Sequence, residues 1–108
     1  MAIRQVEIRA VAPSAAIVEL RRRLETWFVQ EGEDFVFRSR LEGSVEVSDH
    51  LKWFQGMLRH ERKLIRRLQD QGLNLVVRIY CKRLPVVIEP EGLLVAHQLR
   101  LRVEVVSG

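Results

Sequence analysis

Residues 73–82 alternate in character: Leu75, Val77, Ile79 and Cys81 are separated by Asn74, Arg78, Tyr80 and Lys82. A strand turns successive side chains to opposite faces, so such a segment can bury only one of them. Residues 3–12 repeat the pattern, with Val6, Ile8 and Ala10 against Gln5, Glu7 and Arg9. Residues 99–105 repeat it again, with Leu99, Leu101, Val103 and Val105 against Arg100, Arg102 and Glu104. Half-polar strands of this kind build antiparallel sheets with one covered face, not parallel sheets buried on both sides.

The segments between them carry helical spacing. After Pro13 and a capping Ser14, residues 15–28 place Ile17, Leu20, Leu24 and Trp27 or Phe28 on one stripe. Residues 30–34 contain Gly32 and polar side chains and read as a loop. Residues 34–41 read as a strand, with Phe35, Phe37 and Leu41 facing one way and Arg38 and Arg40 the other. A turn at Glu42-Gly43-Ser44 leads to a short return strand, residues 45–47, which makes this pair a hairpin. Ser48-Asp49 opens a long helix to Gln71, with a kink expected where Gly56, His60 and Glu61 interrupt its apolar stripe. Gly72 ends it in a left-handed conformation. Past Pro85, residues 86–88 read as a short extended piece, and Pro90 opens a short helix through Ala96.

The expected order is strand, helix, hairpin, long helix, strand, short helix, strand. Its first six elements match the β-α-β-β-α-β plan of ferredoxin-like folds. The expected fold is a single α+β domain over residues 1–108. It is a ferredoxin-like sandwich with an added C-terminal short helix and strand, a mostly antiparallel sheet and helices on one face. A chain of 108 residues with 47% hydrophobic and 30% charged residues suits one modest core. The lone cysteine, Cys81, excludes an internal disulfide and suits a reducing compartment. The N-terminus lacks a signal-like apolar run, and no run approaches a membrane span, so a cytoplasmic protein without membrane partners is expected.

Function is less legible. Strand parity places Arg9, Arg38, Arg40, Arg78, Tyr80, Lys82, Arg100 and Arg102 on the sheet face away from the helices, opposed there by Glu7 and Glu104. A basic face with an aromatic residue can hold phosphates or a nucleic-acid strand. A solvated or protein-covered face explains the same arginines. One aromatic is fewer than stacking platforms use. Arg59, Arg62, Lys63, Arg66 and Arg67 form an arc on the long helix, either a site for an acidic partner or an ordinary exposed surface. Trp53 flanks the apolar stripe as an anchor for another protein or as packing under a loop. His50, His60 and His97 lack metal-ligand spacing, Cys81 falls on the inward face, and Glu89 and Glu91 read as helix-start charges. No catalytic residue, metal site or cofactor is assigned.

The second half resembles the bacterial family known as domain of unknown function 4279. The likeness runs from Ser48-Asp49-His50-Leu51 through the leucine-rich helix to Leu68 and the strand to Tyr80. It continues through Ile88-Glu89-Pro90-Glu91-Gly92-Leu93-Leu94 to the alternating strand at residues 99–105. The first half lacks that family's Thr-x-x-Leu-Gly-Ile-x-Pro segment. The resemblance implies an α+β fold and a bacterial source, and carries over no activity or site residue. The leading expectation is a non-enzymatic interaction or accessory domain with a protein partner or a second copy of itself, joined by strand edges. The alternative is RNA or single-stranded DNA binding by the basic sheet face.

Overall fold

The computed structural model describes residues 3–11, 15–42 and 46–108. It is an α+β architecture with five strands and four helices. In chain order these are β1 (Ile3–Val11), α1 (Ala16–Leu24), β2 (Val29–Glu31), β3 (Asp34–Arg38), α2 (Val47–Met57), α3 (Arg62–Asp70), β4 (Asn74–Cys81), α4 (Pro90–Gln98) and β5 (Arg102–Ser107). The strands form one sheet in the order β2-β3-β1-β4-β5. Pairing is antiparallel everywhere except between β4 and β5, which are parallel and joined through α4.

The alternation seen in the sequence fixes the faces. Val6, Ile8 and Ala10 of β1 join Phe35 and Phe37 of β3 and Leu75, Val77 and Ile79 of β4 in one buried cluster. The helices pack on that side with Ile17, Leu20 and Leu24 from α1, Leu51 and Phe54 from α2, and Ile65 and Leu68 from α3. Burying a Leu, Ile or Phe side chain contributes roughly 1.5–3 kcal/mol. Phe37 lies at the centre of an aromatic group, with ring centroids 5.4 Å from Phe28, 5.5 Å from Trp53 and 5.2 Å from Phe54. Trp53 is therefore half-buried and packs on the core, as one of its two expected roles had it, against aromatic rings.

Several boundaries differ from expectation. The first helix stops at Leu24, not Phe28. The expected cap Ser14 lies outside the described residues. The segment expected as a loop is half of a hairpin: β2 and β3 pair across a two-residue turn, Gly32-Glu33, with Gly32 at φ +63°. The return strand at residues 45–47 is not observed, because Val47 is the buried first residue of α2 (Val45 lies outside the described residues). Its place is explained by the cap. Glu46 precedes the helix and its backbone N–H donates to Asp49 at 3.0 Å, closing a reciprocal capping box. The long helix is broken where the stripe is interrupted, by a 3-10 turn at Arg59–Glu61. Gly72, at φ +103°, follows α3 as expected. Residues 86–88 form no strand. α4 starts at Pro90 and runs two residues past Ala96. No helix among the described residues is long and apolar enough to cross a membrane.

Candidate functional site

The sheet face turned away from the helices carries Gln5, Glu7 and Arg9 on β1, Arg38 on β3, Arg78 and Tyr80 on β4, and Arg102 and Glu104 on β5. Its charges bind one another. Arg9 is only 7% exposed although no helix covers it, and its three guanidinium nitrogens each hold a different carboxylate. Nε donates to Glu7 at 2.8 Å, Nη2 to Glu31 at 3.0 Å and Nη1 to Asp34 at 3.0 Å. Glu7 is 1% exposed. It lies beneath Arg9, with the Arg38 Nε also 3.7 Å away. Arg38 donates to Glu31 as well. On the other side of β1, Arg78 Nη2 donates to Glu104 at 3.0 Å.

Burial and pairing act oppositely on these groups. Burial disfavours the charged Arg9, but its hydrogen bonds to Glu7, Asp34 and Glu31 outweigh that, so its pKa lies above the ordinary arginine value. Glu31 is held below its usual range, by Arg38 first and Arg9 second. Arg78 is raised, first by hydrogen bonding to Tyr80. Tyr80 borders a shallow depression shared with Arg4, Gln5, Glu7 and Arg38.

The structure brings Arg9, Arg38, Arg78, Tyr80 and Arg102 onto this face, as their parity required. Three other basic positions expected there fall elsewhere. Arg40 lies beyond the end of β3 and Lys82 beyond the end of β4. Arg100 occupies a left-handed turn at φ +53° before β5 begins, which breaks the alternation, and its Nη1 donates to Asp70 of α3 at 2.7 Å. Glu31 and Asp34 also belong to the network, Asp34 from the first position of the expected strand and Glu31 from a segment expected as a loop. The signal was the Gly32-Glu33 pair between two short polar-apolar segments, which fits a two-residue hairpin turn. Among the described residues the paired strands therefore set four guanidiniums (Arg9, Arg38, Arg78, Arg102) beside four carboxylates (Glu7, Glu31, Asp34, Glu104), with Arg4 at the rim, so the face is not a bare cationic surface.

Of those four guanidiniums, Arg102 alone has no ion-pair partner among the described residues. It sits on β5, whose outer edge is free. The two sheet edges are unlike. β2 is three residues long and entirely exposed, with Gln30 and Glu31 on it. β5 is six residues long. On its helix side Val103 and Val105 are 38% and 43% exposed, whereas Val77 and Ile79, their register partners on β4, are fully buried. α4 packs on α2 instead of covering them: Gln55 donates to Gln98 at 2.8 Å and Gly92 lies against Ser48. A long apolar edge with unpaired backbone groups is a template for another strand.

The remaining candidates are internal. The Cys81 thiol is buried and donates to the Val106 carbonyl at 3.6 Å. Buried His50 lies with Nδ1 2.6 Å from Ser39 Oγ, and burial lowers its pKa despite Asp49 nearby. Among the described residues no group of His, Cys, Asp and Glu side chains gathers as a metal site. No protein-family model, curated protein or solved structure matches the chain.

Proposed function

We propose that this protein is a non-enzymatic interaction domain that pairs with a second copy of itself along β5. The carrying observation is the unpaired Arg102 two residues from Glu104 on a free, apolar edge strand. In an antiparallel pair with a two-fold axis perpendicular to the sheet, opposed residues lie on the same face, so the axis passes through a residue. Centred on Val103, Arg102 of each copy opposes Glu104 of the other. On the helix side Val103 meets Val103, and Leu101 meets Val105. Centred on Glu104, two carboxylates collide. Centred on Val105, Glu104 meets Val106 and Arg102 stays unpaired. Opposite-charge and β-branched cross-strand pairs each contribute roughly 0.2–1 kcal/mol, and like charges directly opposed cost a similar amount.

The strand order β2-β3-β1-β4 with antiparallel neighbours supports a ferredoxin-like plan, and α4 with β5 extends it on the β4 side. The run from Glu89-Pro90 through α4 into β5 supports kinship with domain of unknown function 4279. The outer face offers less support for RNA or single-stranded DNA, since carboxylates engage Arg9, Arg38 and Arg78.

Sedimentation equilibrium tests the pairing. The chain should sediment at twice its mass in the high micromolar range. Arg102→Glu sets two pairs of carboxylates against each other across the seam and should weaken association about tenfold, or about 1.4 kcal/mol. Val103→Lys should give a monomer with an unchanged thermal transition. A wild-type chain that remains monomeric at those concentrations overturns the proposal.

A further inference from the structure

With the outer face balanced, the excess of positive charge must lie elsewhere. The formal net charge is +4. The 3-10 turn and α3 carry Arg59, Arg62, Lys63, Arg66 and Arg67 against Glu61 and Asp70. Two of those charges are engaged: Arg67 donates to Glu19 of α1 at 2.7 Å, and Asp70 accepts from Arg100. Arg59 Nε donates to His60 Nε2 at 3.2 Å. Arg62, Lys63 and Arg66 have no ion pair among the described residues.

These cations share a groove. A cavity of about 580 Å³ runs between α3 and the end of α4, lined by Arg59, Arg62, Lys63, Arg66, Gln69 and Gln98. No carboxylate lines it. One of its two amides keeps a free donor. Gln98 Oε1 accepts from Gln55, which leaves its Nε2 hydrogens to donate elsewhere. Gln69 Nε2 is spent on the Leu99 and Arg100 carbonyls, at 2.9 and 3.3 Å. The row from Arg59 through Arg62 and Lys63 to Arg66 repeats about once per helical turn, or about 5.4 Å. The site is thus a row of cations beside one amide donor, with no carboxylate to repel an anion.

The floor decides which anion. Its apolar side chains, Ile65 and Leu99, are 3% and 6% exposed, so they offer no pocket for the apolar anchors that fix a peptide. Among the described residues His60 is the one ring on its lining, and no Phe, Tyr or Trp is there, so the groove lacks the platform of several rings that base stacking uses. A ligand that suits it carries closely spaced charge on its outside and needs no anchor. We infer that the α3 groove binds the phosphodiester backbone of a nucleic acid by charge alone, without reading its bases. This site is separate from the β5 edge, and neither depends on the other.

Fluorescence anisotropy of the full chain with labelled oligonucleotides, one of thymine only and one of mixed sequence, tests it. Binding should be equal for the two. With three or four phosphate contacts, each worth about −0.7 in the logarithmic salt slope of a single strand, affinity should fall about 20- to 50-fold between 50 and 200 mM salt. Arg62→Glu/Arg66→Glu should weaken binding at least tenfold, with the thermal transition and the sedimentation mass unchanged. Arg40→Glu, at a position outside the groove, should change it less than twofold. A duplex of the same length should compete, and polyglutamate should not. Absence of binding at low salt, an equal loss in Arg40→Glu, or displacement by polyglutamate at matched charge would each overturn the inference, the last in favour of an acidic protein.

Discussion

Arg9 and Glu7 illustrate how one side chain can decide the fate of a whole face. A carboxylate that is 1% exposed on a sheet surface without a helical cover is tolerable only under guanidiniums. Arg9→Met removes the 2.8 Å contact and leaves Glu7 with Arg38 at 3.7 Å. Urea unfolding should show a loss of about 3 kcal/mol, because deleting one partner strands the other. Arg9→Met/Glu7→Leu should recover most of it. His50 adds a pH dependence of known sign. Its native pKa lies below 6.5, mainly through burial. As the pH falls through that value, the unfolded chain binds a proton that the native state does not yet accept, so stability falls from there toward the lower native pKa. The wild-type thermal midpoint should drop more than that of His50→Gln between about pH 7.5 and about pH 5.5. Glu7 and Glu104 could be placed from parity. Asp34 shares the parity of Arg38 in the strand read at residues 34–41, but Glu31 could not be placed, because its position depends on a hairpin.

At the scale of elements, the periodic ones were legible and the short ones were not. β1, β4 and the start of α4 follow from alternation and from Pro90. β2 has three exposed residues and no apolar rhythm, so only pairing with β3 makes it a strand. β5 begins three residues later than the alternation implies, because Arg100 preserves the alternation in sequence while its backbone turns left-handed. Two glycines test the helix packing from opposite directions. A Cβ on Gly92 would stand 3.0 Å from Ser48 Cα and 3.2 Å from Ile88 Cγ2, so Gly92→Ala should push α4 off α2 and cost about 1–3 kcal/mol. Gly56, in α2, has nothing within 4 Å of that position. There alanine should stabilise by about 0.5–1 kcal/mol. Thermal or urea unfolding of the two variants should move in opposite directions.

Across the whole molecule, charge is partitioned. The outer sheet face is largely neutralised from within, α3 carries a run of cations without ion pairs among the described residues, and β5 leaves Val103, Val105 and Val106 partly open along a free edge. The sequence led to an expectation of one cationic sheet face, because it shows which residues share a face but not which carboxylates a hairpin delivers to it. Pairing through β5 by an axis perpendicular to the sheet would continue the outer network across the seam and keep both helix layers on one side. The most direct check is oxidative cross-linking of a Val103→Cys chain carrying Cys81→Ala, with Val87→Cys, an exposed position away from the edge, as the reference. Residues opposed on the axis lie about 4.5–5.5 Å apart between Cα atoms, within disulfide reach. The account predicts a disulfide-linked dimer from the Val103→Cys chain and a monomer from Val87→Cys. A Val103→Cys chain that stays monomeric, or cross-links no faster than Val87→Cys, would contradict it.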